Sequence, residues 1–164
     1  MPLIVVTSPK AGTGRTSLAV NLGFGLLMEG RPVQMYDLGL PPGDLADWIA
    51  LASRGPQRLS VQNDLDRMDR GQWNVIDLDW RRRESVGGLI AGDGCLLATT
   101  RLKDLDIQEL LELEAGVKSL RGGRGIDLVV PTMVNSHHWA ENEPGMLSLF
   151  EHFEEERIAD PLPF

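Results

Sequence analysis

Lys10-Ala11-Gly12-Thr13-Gly14-Arg15-Thr16-Ser17 is a run of residue types suited to holding phosphate. Small residues at 11, 12 and 14 let consecutive backbone N–H groups converge on phosphate oxygens, and a helix opening at Thr16-Ser17 sets the positive end of its dipole behind them. Ala11, Gly12, Thr13, Gly14, Arg15, Thr16 and Ser17 are therefore candidate nucleotide-binding residues, with the Thr16 hydroxyl available to a magnesium ion. The usual pattern is G-x-x-x-x-G-K-[ST]; here Pro9 stands at the first glycine and Arg15 at the lysine. The same residues also fit a glycine-rich turn that joins a strand to a helix and binds nothing.

Two acids close apolar runs elsewhere. Asp37 ends Pro32-Val33-Gln34-Met35-Tyr36, and Asp77 follows Val75-Ile76. The C-terminal tips of parallel strands are where such sheets present ligand-binding groups, which suits Asp37. Asp77 suits a cap on the following loop, since Asp satisfies turn backbones. Adjacent histidines such as His137-His138 point in different directions and have no Cys, Asp or Glu at ligand spacing, so they read as loop residues. No Ser-His-Asp or Cys-His arrangement stands out.

The elements that must position these groups alternate. Residues 3–7 read as a buried strand and 14–29 as a helix with Leu18, Leu22 and Leu26 on one face and Gly30 as its stop. Gly23 and Gly25 weaken that helix and allow close packing on a sheet. A strand over 32–37 and a short amphipathic helix over 45–52, around Trp48, come next. A turn and a weak strand, 58–61, fill residues 53–61. Strands are predicted over 73–79 and 95–100, and a helix over 104–120 with a stripe of Leu105, Ile107, Leu110, Leu111 and Leu113. A strand over 126–134, interrupted by Pro131, leads through a polar loop to a helix over 146–155 and a proline-rich tail. Strand–helix alternation predicts an α/β fold, a mostly parallel sheet flanked by helices with right-handed crossovers.

A length of 164 residues and 42% hydrophobic content fit one domain, 1–164, with a real core. Cys95, the single cysteine, lies in an apolar run and reads as core filler, which suits a reducing cytoplasm. No run approaches the ~20 apolar residues that span a bilayer, so the expectation is a soluble cytoplasmic protein. A net charge of −8 argues against broad contact with nucleic acid and leaves room only for a local basic patch. Arg81-Arg82-Arg83 is the one dense basic cluster and reads as a solvated loop.

Lys10-x-Gly12-x-Gly14-Arg15-Thr16 resembles the deviant P-loop of the ParA/MinD family, K-G-G-x-G-K-[ST], in which an extra lysine precedes the loop. The resemblance implies a P-loop NTPase-like fold of SIMIBI type, ATP or ADP with Mg as cofactor, and a catalytic role for Lys10, which would reach across a nucleotide-sandwich homodimer to the partner's phosphates. It likens Asp37-Leu38-Gly39 to the family's D-x-D segment, with Asp37 as the first acid and Gly39 in place of the acid that orients the attacking water. Asp44 lies beyond a Pro-Pro-Gly turn as a conceivable substitute. Asp77 falls at the Walker B position, where the resemblance implies a metal ligand beside Thr16; Asn135 falls at the position that can read adenine, though it equally suits a turn at a strand end; and Leu162-Pro163-Phe164 resembles an apolar-Pro-aromatic strand end. Asp79-Trp80-Arg81 departs from the family's proline-bearing switch. The likeness spans residues 3 to about 163 and is dense only over 3–40. Family members are commonly longer, which makes this chain a minimal or C-terminally truncated version, and residues 146–155 are too acidic for the membrane helix of MinD proteins. Arg15 and Gly39 together imply a degenerate member, a positioning, partitioning or assembly factor with weak or absent ATP hydrolysis, acting as a homodimer or on a heterologous protein partner. A slow ATPase, or an interaction module with an empty pocket, are the other readings.

Overall fold

Short β-branched segments separated by glycine stops and apolar helices build the alternation in the computed structural model, which describes residues 1–52 and 59–163. Six strands form one sheet: β1 (Leu3–Ser8), β2 (Val33–Leu38), β3 (Ser60–Gln62), β4 (Trp73–Asp79), β5 (Cys95–Thr100) and β6 (Leu128–Pro131). Their order is β3-β2-β4-β1-β5-β6, and every pairing is parallel. Five α-helices are present among the described residues: α1 (Arg15–Met28), α2 (Asp44–Ala52), α3 (Gly87–Ile90) and α4 (Asp104–Leu120) between strands, and α5 (Trp139–His152) after the last.

Successive side chains of a strand point to opposite faces, and both faces of this sheet are covered. Val6, Met35 and Val75 pack with Ala19, Val20, Leu45 and Ile49 of α1 and α2. Their neighbours Val5, Tyr36 and Ile76 join a second core with Ile107, Leu110, Leu113 and Leu149 of α4 and α5. That is why the strands read as continuous apolar runs rather than as alternating ones. The register sets Val6 of β1 beside Asp77 of β4, Ser8 beside Asp79, and Asp37 of β2 beside Asp77. All these acids thus arrive at the edge of the sheet where β1 releases the chain into the phosphate-type loop.

Several local expectations change. The buried face of α1 is Ala19, Val20 and Gly23, with Leu18, Leu22 and Leu26 only half-buried. A Cβ at Gly23 would lie 2.5 Å from Met35 Sδ, so this glycine does allow close packing, whereas Gly25 faces open space. Trp48 is exposed and α2 buries Leu45 and Ile49 instead; Leu105 on α4 is exposed as well. Cys95 is not core filler: it opens β5 as an exposed residue, because the first position of the strand lies past the helices that cover the sheet. Arg81-Arg82-Arg83 is not a loop but part of a 3-10 turn, Trp80–Val86, capped by the Asp79 carboxylate, which accepts from Arg81 N.

The last strand is shorter than its apolar run, 128–131, although past Pro131 the N–H of Thr132 still donates to Thr100 O. Helix α5 begins at Trp139, seven residues earlier than predicted, and carries Pro144 inside it. Pro144-Gly145 looks like a helix stop in sequence, yet Asn142 Nδ2 donates to the carbonyls of Asn135 and His138, and Gly145 packs on the 101–102 loop. A Cβ there would lie 2.5 Å from Leu102 O, so the glycine is required by close approach of two backbones. The predicted turn over 53–58, Arg58 of the weak strand and Phe164 of the tail lie outside the described residues.

Candidate functional site

The chain leaves β1 at Ser8, whose hydroxyl donates to Lys10 O at 2.8 Å, and enters α1 through Gly12 and Gly14, both at φ 76°. That left-handed backbone is open to glycine at little cost, and Gly14 caps α1. Thr13 is buried beneath the loop. Its hydroxyl shares a hydrogen bond of 2.9 Å with Thr99 of β5, and Thr132, just past β6, donates to Thr13 O at 2.7 Å. Nothing in the sequence singled out Thr99 or Thr132. They are recognisable only once the sheet order brings three strand ends together.

Replacing Thr132 by Val keeps the shape but leaves the Thr13 carbonyl without this donor, a loss of about 1–3 kcal/mol. Thr132→Val is therefore expected to melt several degrees lower in a thermal scan; an unchanged melting temperature would mean that the loop does not depend on this tether.

Lys10, Ala11, Gly12, Gly14, Arg15, Thr16 and Ser17 line one depression of about 220 Å³, with Asp44 and Asp79 on its far side. The predicted loop residues are thus brought together, and Asp44 joins them as an exposed residue across the Pro41-Pro42-Gly43 turn. An adjoining apolar groove of about 810 Å³ shares Gly14, Ser17 and Met133 and is walled by Leu18, Leu22, Leu26 and Pro163. The half-buried stripe of α1 faces this groove.

The acids are already engaged. Asp77, buried at the end of β4, accepts from Arg15 Nε at 2.5 Å through Oδ1 and from the Thr16 hydroxyl at 2.7 Å through Oδ2. Burial pushes the Asp77 carboxyl above its ordinary value, while the Arg15 charge and the Thr16 hydrogen bond oppose the rise. Arg15 Nη1 lies 3.8 Å from Asp79 Oδ2, and Asp79 is chelated by Arg81 through Nε and Nη2 at 2.9 and 2.7 Å. The Arg81 hydrogen bonds hold Asp79 below the usual carboxylate range despite partial burial. Asp37 accepts from Gly39 N at 2.9 Å and Gly43 N at 2.8 Å, so both its oxygens fasten the loop after β2.

The predicted metal pair, Thr16 and Asp77, does meet, but as donor and acceptor, with a guanidinium on the other carboxylate oxygen. These residues do not fit a magnesium ion: the Thr16 hydroxyl and both Asp77 oxygens are spent on each other and on Arg15. Among the described residues no group of three or more His, Cys, Asp or Glu could hold a metal.

Lys10 turns to its own chain. Its Nζ ion-pairs with Asp106 of α4 and lies 3.1 Å from Glu109, and those carboxylates raise its pKa above the ordinary value. Burial works against ionised Asp106, but Arg101 and Lys10 outweigh it and lower its pKa. Asn135 stands apart: its Oδ1 accepts from His137 N at 3.1 Å, and it lines a separate depression with Arg101, Leu102 and Asn142, touching the loop region only through Met133.

No family model matches the chain. Protein ParA of Rhizobium radiobacter is 26% identical over 156 residues, an alignment taking in 85% of this chain and 69% of that one. Among solved structures, cobyrinic acid a,c-diamide synthase of Mycobacterium smegmatis with bound ADP and magnesium superposes with a TM-score of 0.73 at 15% identity, covering 99% of this chain and 86% of that one. The MinD cell division protein of Aquifex aeolicus gives the same TM-score and identity, covering 99% and 82%.

Proposed function

Because this chain belongs to the ParA/MinD family, we propose that it binds an adenine nucleotide at its P-loop and acts as a positioning, partitioning or assembly factor with weak or absent ATP hydrolysis. The observation that carries the reading is the Arg15–Asp77 pair beside Gly39. The position of the catalytic lysine is charged but committed to an acid of its own chain, and the acid that would orient water is missing. Phosphate binding survives such changes, because it rests on the backbone N–H groups of residues 11–17 and on the α1 dipole. The apolar groove next to Gly14 offers the base and ribose a seat. Nucleotide bound to an ADP- and magnesium-carrying relative supports this assignment.

A thermal-shift titration tests it. Ligand at 100 times its Kd stabilises a fold by about 2.7 kcal/mol, so ATP or ADP is expected to raise the melting temperature by several degrees. No shift at millimolar nucleotide would favour an interaction module with an empty pocket.

Asp44 supports a second reading, a slow ATPase, because it lines the loop depression where a water-orienting acid is wanted. Turnover abolished by Asp44→Asn would establish it.

Partner choice turns on Lys10. A sandwich dimer requires it to leave Asp106 and Glu109 and cross the two-fold axis, and nucleotide would offset the repulsion between the opposed loops. Light scattering is expected to show an ATP-dependent dimer that Lys10→Ala abolishes. Mass indifferent to both nucleotide and mutation would leave the heterologous partner.

A further inference from the structure

Two departures from the family's pattern, Arg15 in the loop and Gly39 after β2, act as one device. At the end of β4 a buried carboxylate needs a counter-charge, since an unpaired buried ion is costly. Arg15 supplies it through Nε at 2.5 Å, Thr16 satisfies the second oxygen at 2.7 Å, and Arg15 Nη1 leans toward Asp79. The side chain of Arg15 is only 13% exposed, so this is a seated cation rather than a surface arm. A lysine ammonium is compact and can extend along the loop, whereas a planar fork of five donors spans two acceptors at once.

Gly39 leaves it without a competing acid. A Cβ at 39 would lie 3.0 Å from Asp37 Oδ1 and 3.5 Å from Arg15 Nη2. An aspartate there would crowd Asp37 and set a second carboxylate within reach of the guanidinium, drawing it off Asp77.

We propose that Arg15 is the resident cation of this site, holding the charge of Asp77 in place of a divalent ion, so that the P-loop receives its nucleotide as the free anion rather than as a magnesium complex. The second half rests on the nucleotide reading above; the first does not. The charge of Arg15 is covalently part of the chain, so the cation is present whatever the metal concentration. Arg15 is among the residues lining the loop depression, so a phosphate oxygen there would have the unused donors of the fork as partners.

Manganese, followed by its electron paramagnetic resonance signal, is the probe for the first half, with wild type, Arg15→Ala, Arg15→Lys and Asp77→Asn compared without nucleotide. Wild type is expected to leave the signal of free manganese unchanged. Arg15→Ala is expected to bind manganese, and to melt on the order of 10 °C lower in EDTA with recovery in magnesium. Should Arg15→Ala fail to fold, Arg15→Lys carries the same expectation of acquired binding. Manganese bound by wild type and lost on Asp77→Asn overturns the proposal, as does an Arg15 variant that folds and binds none.

The second half is read by calorimetric titration of ATP into wild type. Affinities agreeing within about twofold in EDTA and in magnesium uphold it, and a loss of tenfold or more in EDTA overturns it. ATP that binds in neither condition removes the nucleotide reading and with it the second half, while the manganese result still decides the identity of the cation.

Discussion

Purified wild-type protein is expected to release phosphate from ATP no faster than a protein-free blank. Phosphoryl transfer is almost wholly a matter of positioning and charge stabilisation. Two of its usual agents are gone. The cation at position 15 is turned to Asp77, and residue 39 has no side chain to orient a water. Losing either kind of group costs on the order of 10³-fold, and the two act on one transition state. Single repairs are expected to stay silent. Arg15→Lys leaves no acid at 39, and Gly39→Asp sets a carboxylate against Asp37 and next to Arg15. Arg15→Lys with Gly39→Asp removes that conflict and is expected to gain magnesium-dependent turnover above both single variants. Wild-type turnover lost on Asp44→Asn would contradict this and transfer the water-orienting role to Asp44.

The second large effect is on stability. Arg121, at the end of α4, is 1% exposed and binds Asp127 Oδ2 and Gly125 O through Nη1, at 2.8 and 2.7 Å, and Gly94 O through Nη2 at 3.0 Å. It ties the entry of β5 to the loop before β6. Truncation removes a donor from the half-buried carbonyls of Gly94 and Gly125 and leaves Asp127 with Arg124 and the Leu96 N–H, a change that costs about 3–5 kcal/mol. For a chain of this size that is a fall in melting temperature on the order of 10 °C. Arg121→Lys is expected to recover only part of it, because one ammonium cannot serve three acceptors in a fixed plane. Arg121 sits at the N-terminal ends of the strands, remote from the P-loop, so nucleotide affinity of the folded variant should stay unchanged. A fall of under about 2 °C would show that Arg124 replaces it.

The fold was legible where local signals agreed. Strand β4 and helix α4 match their predicted bounds, because a β-branched run or an apolar stripe ended at a clear stop such as Gly122-Gly123. Helix α5 runs through Pro144-Gly145 into what reads in sequence as a polar loop, and the close approach to Leu102 explains the glycine. Cys95 was read as core from its apolar neighbours, although burial at a strand's first residue depends on where the covering helices end. In the site, the loop residues were candidates from their spacing, and Asp37 and Asp77 from their place at strand ends and the family resemblance. What they do to one another could not. That Arg15 pairs with Asp77, that Asp37 fastens its own loop, and that Thr99 and Thr132 hold the P-loop all follow from the strand order, which sets β4, β1, β5 and β6 side by side. The direction of a long flexible cation such as Lys10 is likewise set by acids nearly a hundred residues away on α4.

Calorimetric titration of ATP into wild type and into Gly14→Val tests the P-loop as a nucleotide site most directly. Residue 14 sits at φ 76° with Thr132 only 3.5 Å from where a Cβ would be, so a β-branched side chain there deforms the loop at the point where α1 begins. Saturable one-to-one binding to wild type that Gly14→Val abolishes is the expected result. No saturable heat from wild type at millimolar ATP, or equal binding by both proteins, would contradict it.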